Sequence, residues 1–303
     1  PLERIWHYSY LLICTCIFIF LIAPILIIVP LSFNAEPYFT FTEGMLSFDP
    51  DAFSLRWYKD ILYNGMADPG ASYATGWFSD MWNNAQWIRA TRNSFFIAIC
   101  ATILATGFGT LAALGLSRRE MPYRSLITSL LISPMIVPLV ITATGMFFFY
   151  SQRDLFPFYP DGLAKTYLGV ILAHTTLGIP FVIITVTATL TGFDQSLIRA
   201  SQGLGATGWT TFRQVIMPLI LPGMISGALF AFITSLDEVV AVLFLADVDQ
   251  RTIPRQMWSG IREQISPTIL AVATILVVIS IFLLTTVELL RRRSERLRGM
   301  SPG

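Results

Sequence analysis

Charge is scarce in this 303-residue chain. Only 13% of its residues are Asp, Glu, Lys or Arg, where a soluble domain carries roughly 25%. Lysine is nearly missing. A P-loop needs Gly-Lys followed by Ser or Thr to cradle phosphates, but Lys59 follows Tyr58 and Lys165 follows Ala164. No conventional nucleotide-hydrolysing loop can form here, so any ATP that drives this chain is bound by another. Histidine is limited to His7 and His174, and no cysteine–histidine set has zinc spacing. Cys14, Cys16 and Cys100 fall in apolar runs. The i,i+2 pair cannot close a disulfide on one helix, and all three are expected as buried small hydrophobes. No Ser/Lys, His/Asp or metal constellation lies in an apolar stretch, so neither catalytic residues nor a metal are expected.

Apolar residues, by contrast, make up 54%. A soluble fold of this size would expose too much of that surface, which points to the bilayer as solvent. The net charge of +1 favours neither nucleic acid nor an acidic partner. A membrane helix needs about 20 mostly apolar residues, and six stretches qualify: Tyr10–Leu31, Asn93–Leu116, Leu126–Tyr150, Thr166–Thr191, Leu219–Ala246 and Thr268–Leu290. The expected fold is all-α and integral to the membrane. The first stretch exceeds a signal-peptide core and lacks a small-residue cleavage site after it, so it is read as a retained span.

Six spans put both termini on one side, and basic residues choose the side. With the termini inside, the inner segments hold 11 Lys/Arg against 4 acids over 53 residues, and the outer ones 9 against 12 over 92. The tail Arg291, Arg292, Arg293, Arg296 and Arg298 weighs most. Both termini are therefore expected in the cytoplasm. Pro134 and Pro138 are expected to kink the third span and Pro180 to interrupt the fourth. Gly107, Gly109, Ala112 and Ala113 form a small-residue surface suited to close helix contact. Either ordinary bundle packing or a flexible pore wall accounts for these features.

Between the fourth and fifth spans the chain reads GFDQSLIRASQGLGATGWTTFRQVIMPLILP, from Gly192 to Pro222. Two short amphipathic stretches flank Gly205, where a turn can take positive φ without steric cost. The spacing resembles the EAA loop of binding-protein-dependent ABC importer permeases: Glu-Ala-Ala, three residues, Gly, nine residues, Ile-x-Leu-Pro. Arg199, Ala200 and Ser201 stand at the Glu-Ala-Ala place, and Leu204, Gly205 and Ala206 at the turn. Val215 to Pro218 closes the motif. The resemblance implies a type I ABC importer permease fold, with 192–218 as a cytoplasmic loop that docks on an ATPase subunit. It also implies a second permease, two ATP-binding cassette subunits that hold ATP and Mg, and a periplasmic solute-binding protein. The chain then has no cofactor of its own and sits in a bacterial inner membrane. The family's glutamate is Arg199 here. That reversal puts its usual ion pair in doubt and suggests one half of a heterodimer.

Over nearly the whole length the chain is similar to the spermidine/putrescine permease subgroup, as the second permease of the pair. Arg92-Asn93-Ser94, Leu172 to Thr176 with Ile179-Pro180, Ser235 to Glu238 and Ile265 to Thr268 carry that similarity. Polyamine is the implied solute, with an amino-acid derivative, an opine or a betaine as alternatives. Residues 64–80 look like an insertion beyond the subgroup's pattern.

Asp237 and Glu238 are the adjacent acids inside an expected span, 15 residues or roughly 22 Å of helix beyond Pro222. An intramembrane carboxylate is expensive and faces a cavity or a partner, so either a solute contact or a structural role is open. Phe149 and Tyr150 close the third span, either beside a cationic solute or in an interfacial aromatic belt. His174 lies mid-span, packed or relaying protons. The outer segment 33–92 has seven acids against four bases, and Trp57, Trp77, Trp82 and Trp87. It is expected to cap the protein or dock the binding protein, with its tryptophans on the membrane surface. A secondary transporter using Asp237, Glu238 and His174 as proton groups is the competing class.

Overall fold

Long apolar runs with few helix breakers give helices, and the computed structural model of the chain is helical nearly throughout. It describes residues 2–70, 76–118, 120–159, 162–191, 196–263 and 266–297. Among them the only strand-like feature is the isolated bridge between Asn34 and Phe53. Two compact units emerge, residues 1–86 with 259–303, and Trp87–Trp258.

In the first unit, α1 (Leu2–Leu31) packs on α14 (Thr268–Leu297), which also packs on α3 (Arg56–Tyr63). Cys16 is exposed on α1 and Cys14 half-buried, so neither is the core hydrophobe expected; α1 keeps its apolar surface outward. The segment after α1 is folded rather than a loose cap. It carries α2 (Glu43–Leu46), α3 and α4 (Trp77–Asn84). Trp57 is buried and its indole N–H donates to the carbonyl of Asn34 at 2.7 Å. Trp77 is buried with its ring edge-on to Tyr63, and Trp87 is buried too, which leaves Trp82 as the exposed one of the four. These three tryptophans serve packing instead of a membrane surface.

Within the 64–80 stretch, residues 71–75 lie outside the described residues. Its two ends are tied by Asp80, whose carboxylate accepts the amides of Ala67 (3.1 Å) and Asp68 (2.9 Å) and the side chain of Asn84 (2.6 Å). The Asp68 amide first, then Asn84 and Ala67, hold the Asp80 carboxyl below the usual carboxylate range. A depressed folded pKa contributes stability at neutral pH that is lost as pH falls through that lowered value. Hydrogen exchange checks this: the Ala67 and Asp68 amides should be protected at pH 7 and lose protection only under strongly acidic conditions, while Asp80→Ala removes it at pH 7.

In the second unit the sequence's third span is split into α6 (Arg124–Ile136) and α7 (Leu139–Tyr150), bent by 104°. Of the two expected kink sites, Pro138 marks the break and Pro134 lies inside α6. Pro180 does not interrupt α8 (Tyr167–Thr191), which runs through it. The fifth span is also split. α11 (Met217–Asp237) ends at the acid pair and α12 (Val240–Leu245) follows after two residues. Among the described residues four helices are long and apolar enough to cross a membrane, or five counting the bent pair, with a shorter apolar stretch at Thr268–Phe282.

The core of this unit is a three-helix seam of small residues. α5 (Gln86–Leu116) meets α8 where Gly109 lies against Val182, and a Cβ on Gly178 would touch both Ala105 and Ala231. Between α8 and α11, His174 pairs with Ser235, Gly178 faces Ala231, Val182 faces Gly227 and Thr189 faces Gly223. Numbers rise along one helix as they fall along the other, so α8 and α11 are antiparallel, while α5 and α8 run parallel. Gly107 meets nothing, so only part of the small-residue surface of α5 is a contact.

Candidate functional site

The hairpin between α8 and α11 is built by local hydrogen bonding. Residues 192–195 lie outside the described residues. α9 (Ser196–Gly203) ends in Gly205 at φ +82°, the left-handed region where glycine avoids a Cβ clash. The Ala206 amide donates to the Ser201 carbonyl at 3.0 Å and the Gly205 amide to Gln202 at 2.9 Å. This nested pair is a Schellman closure, which satisfies carbonyls that a helix end leaves open. Thr207 then caps α10 (Gly208–Thr211), its hydroxyl accepting the Thr210 amide at 3.2 Å. Ser201 Oγ and Thr211 Oγ1, 2.9 Å apart, tie the two arms. A π-helical turn, Phe212–Ile216, joins α10 to α11, and Pro218 falls in the first turn of α11, where a missing N–H is tolerated.

Nothing on α9 is buried. Arg199 and Ala200 are exposed beside Leu204, 89% exposed, and Trp209, 70% exposed and stacked on Phe212. Two large apolar side chains held outward on a hydrogen-bonded hairpin, at the end of a bundle, fit insertion into a groove. The spacing of the sequence pointed to the hairpin. It did not single out Trp209, Thr207 or Thr211, although threonine is a favoured N-cap residue and Thr207 stands just before the second arm.

At the opposite end of α8 a hydrogen-bonded latch holds the chain after α12. The side-chain amide of Asn93 donates to the carbonyls of Asp249 (2.7 Å) and Arg251 (3.0 Å). The Tyr167 hydroxyl bonds Asn93 Oδ1 and the Asp249 carbonyl, and Ser94 Oγ accepts the Ile253 amide. One guanidinium nitrogen of Arg255 reaches the carbonyls of Ala246 (2.7 Å), Asp247 (3.1 Å) and Val242 (3.3 Å) and closes the C-terminal end of α12. The Arg89–Asp249 ion pair is exposed and contributes about 1 kcal/mol at most. Asn93→Leu strands the Arg251 carbonyl and costs about 2 kcal/mol. Faster amide exchange across 247–253, with α8 unchanged, is the expected reading.

The five solute-path candidates part company. Tyr150 is buried in the cluster of Ile97, Val170 and Val242, and Phe149 is exposed with its ring edge-on to Phe156. His174 is buried, with Nδ1 2.7 Å from Ser235 Oγ. Glu238 is buried and its carboxylate accepts the Ala241 amide at 2.8 Å, capping α12. Asp237, beside it, is exposed and makes no hydrogen bond or ion pair among the described residues. Three of the five thus serve packing or capping. No group of three metal-binding side chains occurs among the described residues.

Residues 105–296 match the family of binding-protein-dependent transport system inner membrane components. The chain is 30% identical over 249 residues to the spermidine/putrescine transport system permease protein PotC of Haemophilus influenzae, covering 82% of this chain and 89% of that one. It is 30% identical over 264 residues to the putrescine transport system permease protein PotI of Escherichia coli, covering 86% and 82%. A solved bacterial ABC transporter that imports the polysaccharide alginate has the same fold, with TM-score 0.67 over 95% of this chain and 97% of its own, at 14% identity. The chain belongs to the binding-protein-dependent transport system inner membrane component family, the permease subunits of ABC importers.

Proposed function

We propose that this chain is one of two membrane-spanning subunits of an ATP-driven polyamine importer in a bacterial inner membrane. The carrying observation is the closed hairpin at 196–218 with Leu204 and Trp209 held outward. It docks on an ATP-binding cassette subunit, which holds ATP and Mg, so that closure of the nucleotide dimer moves α8 and α11 together through their seam. Arg199, Ala200, Ser201, Leu204, Gly205, Ala206 and Pro218 form that coupling element. The chain itself performs no chemistry.

Six spans with both termini cytoplasmic are supported by the parallel course of α5 and α8, the second and fourth spans, by the opposite course of α11, the fifth, and by the arginine-rich end of α14; Arg298 of that tail lies outside the described residues. The helical outer segment, with its excess of acids, docks the solute-binding protein. Arg199 in place of the family's glutamate favours a heterodimer, in which a different second permease carries the standard loop. The names of the relatives and the outer acids support polyamine as solute. A secondary transporter is less well supported, because His174 and Glu238 are committed to Ser235 and Ala241.

Reconstitution tests the reading. Proteoliposomes holding the permease pair and ATPase should take up labelled spermidine only with the binding protein outside and ATP inside. Uptake driven by a proton gradient without ATP would overturn it.

A further inference from the structure

Just beyond α1 the chain folds inside-out. Residues 35–52 form a loop whose two ends are fastened together where that helix stops. The Ala35 amide donates to the Ala52 carbonyl at 2.9 Å and the Ser54 amide to the Phe33 carbonyl at 2.7 Å. The Asn34 side chain pins the first limb, donating to the carbonyls of Tyr38 and Thr40 and accepting the Glu36 amide, and Thr42 caps α2. A loop so well closed ordinarily turns its large apolar side chains inward. Here only Met45 is buried, while Tyr38, Phe39, Phe41, Leu46 and Phe48 are exposed.

Phe48 is the sharpest case. Its amide donates to the Met45 carbonyl and the Asp49 amide to the Gly44 carbonyl, the nested closure of a helix end in which the left-handed residue is usually glycine. Phenylalanine stands there instead, at φ +56°, and is 82% exposed. The backbone is strained at this position, and the ring finds little burial inside the fold. Strain without a compensating contact within the molecule points to a contact outside it.

Position identifies that contact. From Tyr10 to Leu31 α1 rises about 32 Å, which matches a hydrocarbon core of about 30 Å. Its large apolar side chains stay exposed as far as Ile27. The loop therefore starts and ends at the boundary of the hydrocarbon. From this placement, and resting on the reading of α1 as a membrane span, we infer that the loop 35–52 lies in the bilayer interface at the C-terminal end of α1. Phe48, Leu46 and the rings of residues 38–41 sit among the lipid headgroups and the adjoining acyl chains, a zone that suits aromatic side chains. Interfacial binding scales with buried apolar area and with attraction to anionic lipid. Residues 33–55 hold no Lys, Arg or His, and the acids Glu36, Glu43, Asp49 and Asp51 are exposed. Apolar burial alone thus holds the loop, whatever the charge of the lipid.

Spin labels test this in the assembled transporter in lipid nanodiscs, with Cys14, Cys16 and Cys100 replaced by alanine. Oxygen concentrates in lipid and a neutral nickel chelate in water. The ratio of their collision rates at a label on Leu46→Cys should exceed that on Asp51→Cys by at least about threefold. Ile19→Cys, exposed midway along α1, is the lipid reference. Adding Phe48→Gly, which relieves the strain and removes the ring, should bring the Leu46→Cys ratio down to the aqueous value. Phe48→Asn, also tolerated at positive φ, should do the same. Exchanging neutral for anionic lipid should leave the ratio unchanged. Equal ratios at Leu46→Cys and Asp51→Cys, with Ile19→Cys reading lipid, overturn the interfacial loop alone. So does a fall of both collision rates at Leu46→Cys on adding the binding protein, which would make this face a protein-docking surface. An aqueous ratio at Ile19→Cys defeats the reading of α1 as a span.

Discussion

Gly205→Val should lower uptake by at least tenfold in assembled transporters while the membrane helices still fold and pair. At φ +82° a β-branched residue is a steric outlier, and ordinary L-residues pay about 1–2 kcal/mol in the left-handed region. A Cβ at Gly205 meets nothing within 4 Å, so crowding plays no part and the whole penalty is backbone strain. The hairpin has little burial with which to resist it. Its cheapest response is to give up the closure at Ser201 and Gln202, which swings Leu204 and Trp209 off their positions. ATP hydrolysis should then lose its stimulation by the binding protein. Gly205→Asn, whose side chain tolerates this conformation better, should keep more than a third of wild-type uptake. Equal losses for valine and asparagine would remove strain as the cause.

The second large effect lies in the seam. A Cβ on Gly227 would sit 2.8 Å from the Val182 Cα and 2.5 Å from Thr185 Oγ1, and a backbone atom cannot step aside as a flexible side chain can. Gly227→Val therefore forces α8 and α11 apart. Overpacking of this kind costs about 3 kcal/mol, and the separation also strains the His174–Ser235 bond and the Gly178–Ala231 contact. The purified complex should lose several degrees of thermal stability, with His174 becoming open to solvent exchange. Gly107→Ala is the matched control. Its Cβ meets nothing, so only helix propensity acts, at about 1 kcal/mol in favour of alanine. If both variants behave alike, the seam is not what holds the unit together.

Those two glycines also show what can be read from a sequence. Gly205 was legible because a helix C-terminus is a local event: two amides, two carbonyls and one left-handed residue within six positions. Gly227 was not, since its importance depends on Val182 and Thr185 of another helix. Likewise Gly107 and Gly109 look equivalent in the sequence, and only the direction of approach of α8 distinguishes them. The break at Glu238 was hidden for a related reason. Without a glycine or proline to mark it, a carboxylate reaching three residues ahead divides one span into two helices. The latch of Asn93 on Asp249 joins residues 156 positions apart, and no local spacing encodes it. Asn93, Tyr167 and Ser235 do stand in stretches that carry the family resemblance or beside them, but their partners became visible only in three dimensions. The bend of the third span was legible to the extent that Pro138 falls at it, whereas Pro180 shows that proline inside a buried helix need not break it.

The central claim is that an ATPase on another chain drives this one through the exposed tip of the hairpin. Cysteine at Leu204, cross-linked in the assembled transporter, tests it most directly. Leu204→Cys should form a specific disulfide-length cross-link to a cysteine placed in the groove of the ATPase subunit. The cross-link should abolish uptake, and reduction should restore it. A fully assembled, transporting complex in which Leu204→Cys cross-links to no position on the ATPase would contradict the account.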